Sequence, residues 1–216
     1  MNEGTLKIRN QVGPEIGAKA ITLRILEFGS GLSPVLRNDE TDEVLFSLND
    51  CRVFIDDVPH EIQSHSGIFI RAQQALQVEN PGPEPVCFVS SQCPRQHAGI
   101  ENPIARLADQ RAMPTGDRWY RVLIESEVTQ FVGSIPPGRA PDHFHEYEEV
   151  LFILNGEGRV WFGEEPARIV AGSCIYLPRR QVHCVENTGT GELRLLGVFY
   201  PAGSPAVRYE TATQNP

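Results

Sequence analysis

A repeated segment is the feature that most constrains how this chain folds. The sequence EVLFSLND at residues 43–50 returns as EVLFILNG at residues 149–156, an offset of 106 residues. A second pair, VENPG at 78–82 and VENTG at 185–189, follows at an offset of 107 residues. Two matches in the same order at nearly the same offset indicate that the chain contains one folding unit twice.

Each copy has the pattern of many short β-strands. Short apolar runs, such as residues 21–26 and 119–124, alternate with turns rich in proline and glycine, of which the chain has 17 and 19. We therefore expect an all-β fold of two tandem units, each a jelly-roll sandwich or barrel. Residues 43–49 and 51–56 are separated by an Asn-Asp turn, and we predict that they pair as a hairpin.

The regular spacing of strands breaks between residues 92 and 117. This segment contains Cys-Pro, Asn-Pro and Met-Pro pairs, which interrupt regular structure. We interpret it as a linker that holds one short helix at residues 104–111. The predicted domains are residues 1–112, which include the linker, and residues 113–216.

Three histidines and one glutamate in the second copy have the spacing of a metal site. His143 and His145 are two residues apart, so on a strand their imidazoles point to the same face. Glu149 opens the next predicted strand, where Leu151 continues its face, and His183 lies on a later strand. We predict that these four side chains converge on one metal ion.

The chemistry of this ligand set suits one divalent transition metal. Neutral imidazoles and a carboxylate bind Fe, Mn, Zn, Ni or Cu. Four protein ligands leave one or two coordination positions open to water or substrate, which is typical of a catalytic rather than a structural site. The other histidines have no partner at such spacing; they are His60, His65 and His97.

The first copy lacks these ligands. At the repeat offset, the histidine positions are taken by Arg37, Asp39 and a residue near Leu76, and only the carboxylate of Glu43 is retained. The two carboxylates at these positions, Asp39 and Glu43, form a poor transition-metal site because no imidazole accompanies them. We predict that the first copy has lost its metal and packs on its twin as a structural unit; binding of an effector in the remaining pocket is the alternative.

The second copy resembles the two sequence motifs of the cupin superfamily. The first motif, G-x5-HxH-x3,4-E-x6-G, is matched at His143, His145, Glu149 and Gly156, with Gly138 one residue closer than usual. The second motif, G-x5-PxG-x2-H-x3-N, is matched at Gly172, Pro178, His183 and Asn187, with Arg180 in place of the second glycine. Through the repeat, the resemblance implies a bicupin: two jelly-roll (double-stranded β-helix) domains in tandem, of which the C-terminal one binds metal.

The resemblance implies three classes of function. The first is a metal-dependent dioxygenase, an oxidoreductase acting on a small enolic or aromatic substrate that chelates the metal, with Glu149 as catalytic base. The second is a non-oxidative isomerase, decarboxylase, lyase or amidohydrolase acting on a small keto, hydroxy or sugar acid. The third is a non-enzymatic cupin that binds a small molecule. We take the dioxygenase as our first expectation.

Charge and composition limit the partners that we expect. A formal net charge of -9 argues against a nucleic-acid surface. The first residues form no apolar signal segment, and no run approaches the ~18 apolar residues of a membrane span. Five cysteines show no CxxC pair. We expect a cytoplasmic protein with a small-molecule substrate and no nucleic-acid or membrane partner. The resemblance to cupins adds the expectation of a homodimer.

The residues that contact the substrate are left open by the sequence. Gln130 and Phe131 lie on opposite faces of one predicted strand, and the sequence does not determine which face is inside. Candidates for an aromatic wall, each with a core role as its alternative, are Phe152, Trp161 and Tyr176. Candidates for binding a substrate carboxylate, each with a surface role as its alternative, are Arg139, Arg180 and Arg194.

Overall fold

The fold is built from short antiparallel strands in both halves of the chain. It is described here from a computed structural model that covers residues 4–97, 99–100 and 102–207. The N-terminal strands are β1 (Leu6–Val12), β2 (Leu23–Phe28), β3 (Gly31–Leu32), β4 (Leu36–Arg37), β5 (Thr41–Ser47), β6 (Cys51–Ile55), β7 (Val58–Ile62), β8 (Ser66–Ile70), β9 (Ala75–Asn80), β10 (Val86–Pro94) and β11 (Ile104–Arg106). The C-terminal strands are β12 (Met113–Thr115), β13 (Arg118–Glu125), β14 (Thr129–Ile135), β15 (Gly138–Arg139), β16 (Glu148–Asn155), β17 (Glu157–Phe162), β18 (Glu165–Val170), β19 (Cys174–Leu177), β20 (Cys184–Asn187) and β21 (Leu193–Tyr200). Two single turns of 3-10 helix lie at Pro14–Ile16 and Leu107–Asp109.

The central strands have the same order in the two halves, and the larger sheets differ only at their edges. One N-terminal sheet has the order β1-β2-β10-β5-β8-β11, and its C-terminal counterpart has the order β12-β13-β14-β21-β16-β19. The facing sheets have the orders β3-β9-β6-β7, with β4 also pairing with β9, and β15-β20-β17-β18. The equivalent pathways β2-β10-β5-β8 and β14-β21-β16-β19 confirm two all-β jelly-roll domains in tandem. The exact boundary at residues 112 and 113 stays a prediction.

The predicted hairpin between residues 43–49 and 51–56 is wrong. Strand β5 pairs with β10 and β8, whereas β6 pairs with β7 and β9 in the facing sheet. The Asn-Asp turn therefore carries the chain from one sheet to the other. As a result, Leu45 of β5 and Val53 of β6 are buried in the same cluster between the two sheets.

The predicted helix at residues 104–111 is also wrong. Ile104–Arg106 forms strand β11, which pairs with residues 66–68 of β8 and extends the N-terminal sheet. A single 3-10 turn follows at Leu107–Asp109, and it buries Leu107. Pairing with an exposed sheet edge satisfies the backbone groups that a short isolated helix would leave open.

The apolar core has three parts, and one of them joins the domains. One cluster fills the N-terminal sandwich and a second fills the C-terminal sandwich. The third cluster takes residues from both: Val44, Phe46 and Phe69 from the first domain, with Val132, Val150 and Leu196 from the second. The outer faces of the two larger sheets therefore pack against each other. Among the described residues, no helix is long and apolar enough to cross a membrane.

Truncating a residue of the shared cluster should destabilise the protein more than the same truncation at the surface. Val132 is fully buried between the domains, whereas 55% of Val58 is exposed. Val132→Ala removes two buried methyl groups and should lower the free energy of unfolding by about 2 kcal/mol. Val58→Ala, the matched control, should change it by less than about 0.5 kcal/mol. Urea unfolding compares the two, and equal effects would contradict the shared core.

Candidate metal centre

The structure brings the three predicted histidines together. His143 and His183 form an antiparallel bridge, in which each backbone N–H donates to the carbonyl oxygen of the other at 3.0 and 2.8 Å. His145 lies two residues after His143, and the centroids of their rings are 4.9 Å apart. One ligand atom from each ring lies within 4.8 Å of the others. Three imidazoles at this separation fit a metal site.

Backbone carbonyls fix the orientation of two of these rings. Nδ1 of His143 lies 3.0 Å from the carbonyl oxygen of Pro141, and Nδ1 of His183 lies 2.8 Å from that of Gln181. Because a carbonyl oxygen only accepts, each Nδ1 carries the proton and donates it. The Nε2 lone pairs are then available to a metal, which is the arrangement that ligating histidines usually have.

The carboxylate of Glu149 lies beside the imidazoles. Glu149 is the second residue of β16, and its Oε2 atom lies 3.5 Å from His145 Nε2 and 3.9 Å from His183 Nε2. The side chain is buried, and among the described residues no hydrogen-bond donor reaches Oε2. A buried carboxylate oxygen without a donor is costly unless a cation accompanies it. The structure therefore brings the Glu149 carboxylate beside two of the three converging histidines, and the binding of one metal by all four side chains stays a prediction.

Burial shifts the protonation of this cluster. In the absence of a metal, desolvation raises the pKa of Glu149 from 4.5 to about 8. Desolvation, together with repulsion from His143, lowers the pKa of His183 from 6.5 to about 4. His183 is therefore a neutral imidazole at neutral pH, which is the form that binds a metal.

One departure from the second motif and one match to it have a structural explanation. Arg180, which replaces a glycine, has a φ of 63°, a left-handed conformation that glycine adopts more easily. Its backbone N–H donates to the carbonyl oxygen of His145 at 2.7 Å, and its exposed side chain pairs with Glu146 at 2.9 Å. Asn187 holds the turn that follows it, because its Nδ2 donates to the carbonyl oxygen of Gly191 and also to that of Ile135.

A small apolar cavity opens beside the four side chains. Its volume is about 90 Å³. The aromatic residues of its wall are Trp119, Tyr120, Phe131 and Phe199, and its aliphatic residues include Ile135, Leu151, Val185 and Leu195. The cavity has room for a few water molecules or a small organic ligand.

The register of the strands decides which residues face the cavity. On β14, Phe131 and Gly133 face inward, whereas Gln130 faces the first domain and donates to the carbonyl oxygen of Leu45 at 3.3 Å. Phe199 is the register partner of Glu149, so both lie on the inner face. The three predicted aromatic candidates do not line the cavity; Phe152, for example, lies in the shared cluster between the domains.

The three arginine candidates also lie outside the cavity. Arg139 stacks on Trp161 at 4.1 Å and pairs with Asp142. Arg118, which the sequence analysis did not select, lines the cavity instead. Alternation along β13 offered one signal, because Arg118 and the inward-facing Tyr120 are two residues apart.

The equivalent position in the first domain holds an ion pair. Glu43 pairs with Ile70 and Gln92 as Glu149 pairs with Leu177 and Phe199. Nη2 of Arg24 donates to Oε1 of Glu43 at 2.7 Å, and both side chains are largely buried. A guanidinium thus supplies the positive charge there.

This ion pair lies beside a cavity of about 460 Å³ with a polar lining. Among the described residues, the three histidines of the second domain form the one group of three or more potential ligands that converges. Loss of the metal from the first domain stays a prediction, which the Arg24–Glu43 pair supports.

Sequence comparisons relate part of this chain to a family model and to two other proteins. Residues 131–199 match a family model described as "Cupin domain". The chain is 35% identical to an uncharacterized protein of Methanocaldococcus jannaschii over 54 residues, and this alignment covers 25% of this chain and 43% of that protein. It is 32% identical to auxin-binding protein 1 of Arabidopsis thaliana over 83 residues, and this alignment covers 34% of this chain and 42% of that protein. The chain therefore spans less than half the length of these two relatives.

Solved structures resemble nearly the whole chain. A putative glyoxylate-induced protein of Pseudomonas aeruginosa has a TM-score of 0.77 at 17% identity, covering 97% of this chain and 84% of that one. Oxalate decarboxylase of Lactobacillus farciminis, in a formate complex, has a TM-score of 0.77 at 14% identity, covering 94% and 84%. AerE of Microcystis aeruginosa has a TM-score of 0.74 at 17% identity, covering 84% and 88%. At these identities the likeness concerns the fold.

Replacing Glu149 by glutamine should change the pH dependence of stability in the metal-free protein. Because folding raises the pKa of this carboxyl from 4.5 to about 8, the folded state favours the protonated form. The wild-type protein should therefore lose stability relative to Glu149→Gln as the pH rises from about 5 to about 8. Urea unfolding of both metal-free proteins across this range measures the difference. A difference that stays constant with pH would contradict the burial of an ionisable Glu149.

Proposed function

Because the chain is a bicupin with one converging set of histidines, we propose that it is a metal-dependent enzyme acting on a small organic anion that chelates the metal. The observation that carries this proposal is the meeting of three imidazoles and one buried carboxylate beside an apolar cavity. The proposed ligands are His143, His145, Glu149 and His183, and the proposed metal is one divalent ion of Fe, Mn, Zn, Ni or Cu. A metal bound there would act as a Lewis acid toward a chelating substrate.

The protein contributes orientation and a dry environment. The Nδ1 bonds of His143 and His183 hold two rings, and Tyr147 stacks on His145 with centroids 4.8 Å apart. The apolar wall excludes water, which strengthens every electrostatic interaction in the cavity. Glu149 is the candidate for proton transfer, because its buried carboxylate lies beside the imidazoles of His145 and His183 and lines the cavity.

Dioxygenation is the first reaction class that we propose. An enolic substrate would have to give up a proton to chelate a metal, and Glu149 is the one carboxylate among the described residues of the cavity wall that could accept it. The apolar wall formed by Phe131, Leu151 and Phe199 suits a reaction with dioxygen, which is itself apolar.

A non-oxidative reaction on a small keto, hydroxy or sugar acid is the second candidate, and the size of the cavity favours it. A cavity of about 90 Å³ suits a substrate of few non-hydrogen atoms better than an aromatic one. Decarboxylation and isomerisation of such acids need a Lewis acid and a proton carrier, and both would be provided by the proposed site. Oxalate, the substrate in the name of one structural relative, belongs to this size class.

Removal of one imidazole should reduce metal binding. We expect the wild-type protein to bind one transition-metal ion per chain and His183→Ala to lose most of it, since one missing ligand of four costs at least about tenfold in affinity. His97→Ala is the matched control: the residue is exposed, lies outside the cluster and should leave the metal content unchanged. Elemental analysis after dialysis measures the content. Full occupancy in His183→Ala would contradict the ligand set.

Oxygen uptake separates the two reaction classes. We expect the metal-loaded protein to consume dioxygen when one of a panel of small enolic compounds is added. Turnover of a keto or hydroxy acid under strictly anaerobic conditions would instead support the second candidate. Tight binding of a panel member without any turnover would overturn the enzymatic proposal in favour of a binding protein. His183→Ala serves as the inactive control in each assay.

Two broader expectations also remain proposals. We propose a homodimer, supported by apolar residues at or near sheet edges, such as Ile8 on the edge strand β1, which is 46% exposed. We propose a cytoplasmic location, supported by five cysteines that form no disulfide in the structure. Light scattering and cell fractionation test them.

A further inference from the structure

We propose that Arg118 binds a second acidic group of the substrate, so that the substrate is a small dianion rather than a monoanion. One acidic group, a carboxylate or an enolate, would chelate the metal, and a separate carboxylate would pair with the guanidinium. This inference rests on the proposed metal-dependent function and names the chemical class of its substrate.

The position of Arg118 is set by the register of strand β13. Arg118 begins this strand, and Tyr120, two residues later, lies on the same inner face. Both residues line the cavity that contains the histidines and Glu149. Only 11% of the Arg118 side chain is exposed. Apart from the imidazoles, Arg118 is the one basic side chain among the described residues of this wall.

The surroundings of Arg118 leave it poorly compensated. Among the described residues its ion-pair partner is the neighbouring Asp117, and the Arg118 Nε atom lies 2.9 Å from Asp117 Oδ1. The side chain of Asp117 is 68% exposed, so water screens this pair and it contributes little. A carboxylate that enters the cavity would stabilise the guanidinium more than the exposed Asp117 does. Such a carboxylate is desolvated and can pair with the guanidinium in bidentate geometry.

The charge of the complete site points to the same ligand class. A divalent ion held by neutral imidazoles and one carboxylate keeps one positive charge, and Arg118 adds another. Among the described residues of the wall, Glu149 is the one carboxylate, and most of the others are apolar. A dianion neutralises both charges inside a medium of low dielectric constant, whereas a monoanion leaves one of them buried.

Two other arginines provide matched controls. Arg180 is 74% exposed and pairs with Glu146, and Arg139 stacks on Trp161 and pairs with Asp142. Neither lines the cavity. Arg180→Gln removes the same charge as Arg118→Gln from the neighbourhood of the site without changing the cavity.

Anion binding can be followed by fluorescence in a single-tryptophan background. The chain has two tryptophans, and Trp161 lies outside the cavity wall, so Trp161→Phe leaves Trp119 as the reporter beside Arg118. The probes are acetate, which has one carboxylate, and malonate, which has two. Each is titrated into the metal-free and the manganese-loaded protein.

We expect the manganese-loaded protein to bind malonate at least about tenfold more tightly than acetate. Arg118→Gln should abolish this preference while its affinity for acetate stays within about twofold. Arg118→Lys should keep part of the preference for malonate, since lysine retains the positive charge but cannot pair with a carboxylate in bidentate geometry. Asp117→Asn should change malonate binding by less than about twofold, since water screens its pair with Arg118, and Arg180→Gln should leave it unchanged. In the metal-free protein, quenching by malonate should require Arg118.

The outcomes separate this inference from the proposed function. Manganese content and thermal unfolding verify that each variant is folded and loaded. If Arg118→Gln binds manganese and keeps the wild-type preference for malonate, the role of Arg118 is wrong and the metal site stands. If the protein binds no metal but malonate still quenches Trp119 through Arg118, the metal-dependent function is wrong and the anion site stands. Equal losses in Arg118→Gln and Arg180→Gln would indicate a general charge effect and overturn the inference.

Discussion

The burial of the Glu149 carboxylate is the interaction on which the rest of the site depends. An ionised carboxylate inside an apolar sandwich is unfavourable unless it gains a proton or a cation. In the metal-free protein the carboxylate gains a proton more easily, because burial raises its pKa to about 8. Three imidazoles around the carboxylate make the second solution available, because they provide the remaining ligands for a cation. The first domain keeps the same carboxylate as Glu43 and compensates it with the guanidinium of Arg24. One fold has thus met the same electrostatic requirement in two ways.

Strand β16 links this requirement to the architecture. Its inward residues, Glu149 and Leu151, line the cavity, and its outward residues, Val150 and Phe152, lie in the cluster that joins the domains. The carboxylate of Glu148 accepts backbone N–H groups of Lys19 and Ala20, which belong to the first domain. The first domain therefore supports the strand that carries the metal-site carboxylate. A domain without ligands of its own can still stabilise the site in this way, because ligands must be held on rigid elements to bind a metal well.

The sequence was sufficient for the fold class, which depends on local periodicity, and for the convergence of His143, His145 and His183, whereas the binding of metal by these residues and Glu149 stays a prediction. The HxH spacing sets a common face for His143 and His145, and the repeat predicts that the two halves share one order of strands. Pairing partners were harder to predict. The Asn-Asp turn is compatible both with a hairpin and with a corner between facing sheets, and only burial of Leu45 against Val53 favours the corner. The cavity wall was missed for a related reason: Phe199 reaches it as the register partner of Glu149, on a strand that is distant in sequence, and the sequence does not determine which face of β13 carries Arg118 inward.

Comparison of the two interiors supports the proposal of a metal site in the second domain. Arg24 and Ser90 of the first domain stand at the positions of Phe131 and Gly197 in the second, each at an offset of 107 residues. Gly197 leaves room for the Phe131 ring, since a Cβ atom there would lie 2.3 Å from it. The ring packs on Phe199 at 4.8 Å and helps to reduce the space beside the histidines to about 90 Å³, against about 460 Å³ in the first domain. An aromatic filling in place of a polar one excludes water, lowers the local dielectric constant and strengthens the attraction between a cation and its ligands. The apolar packing around the site is therefore a condition for its chemistry as well as a source of stability.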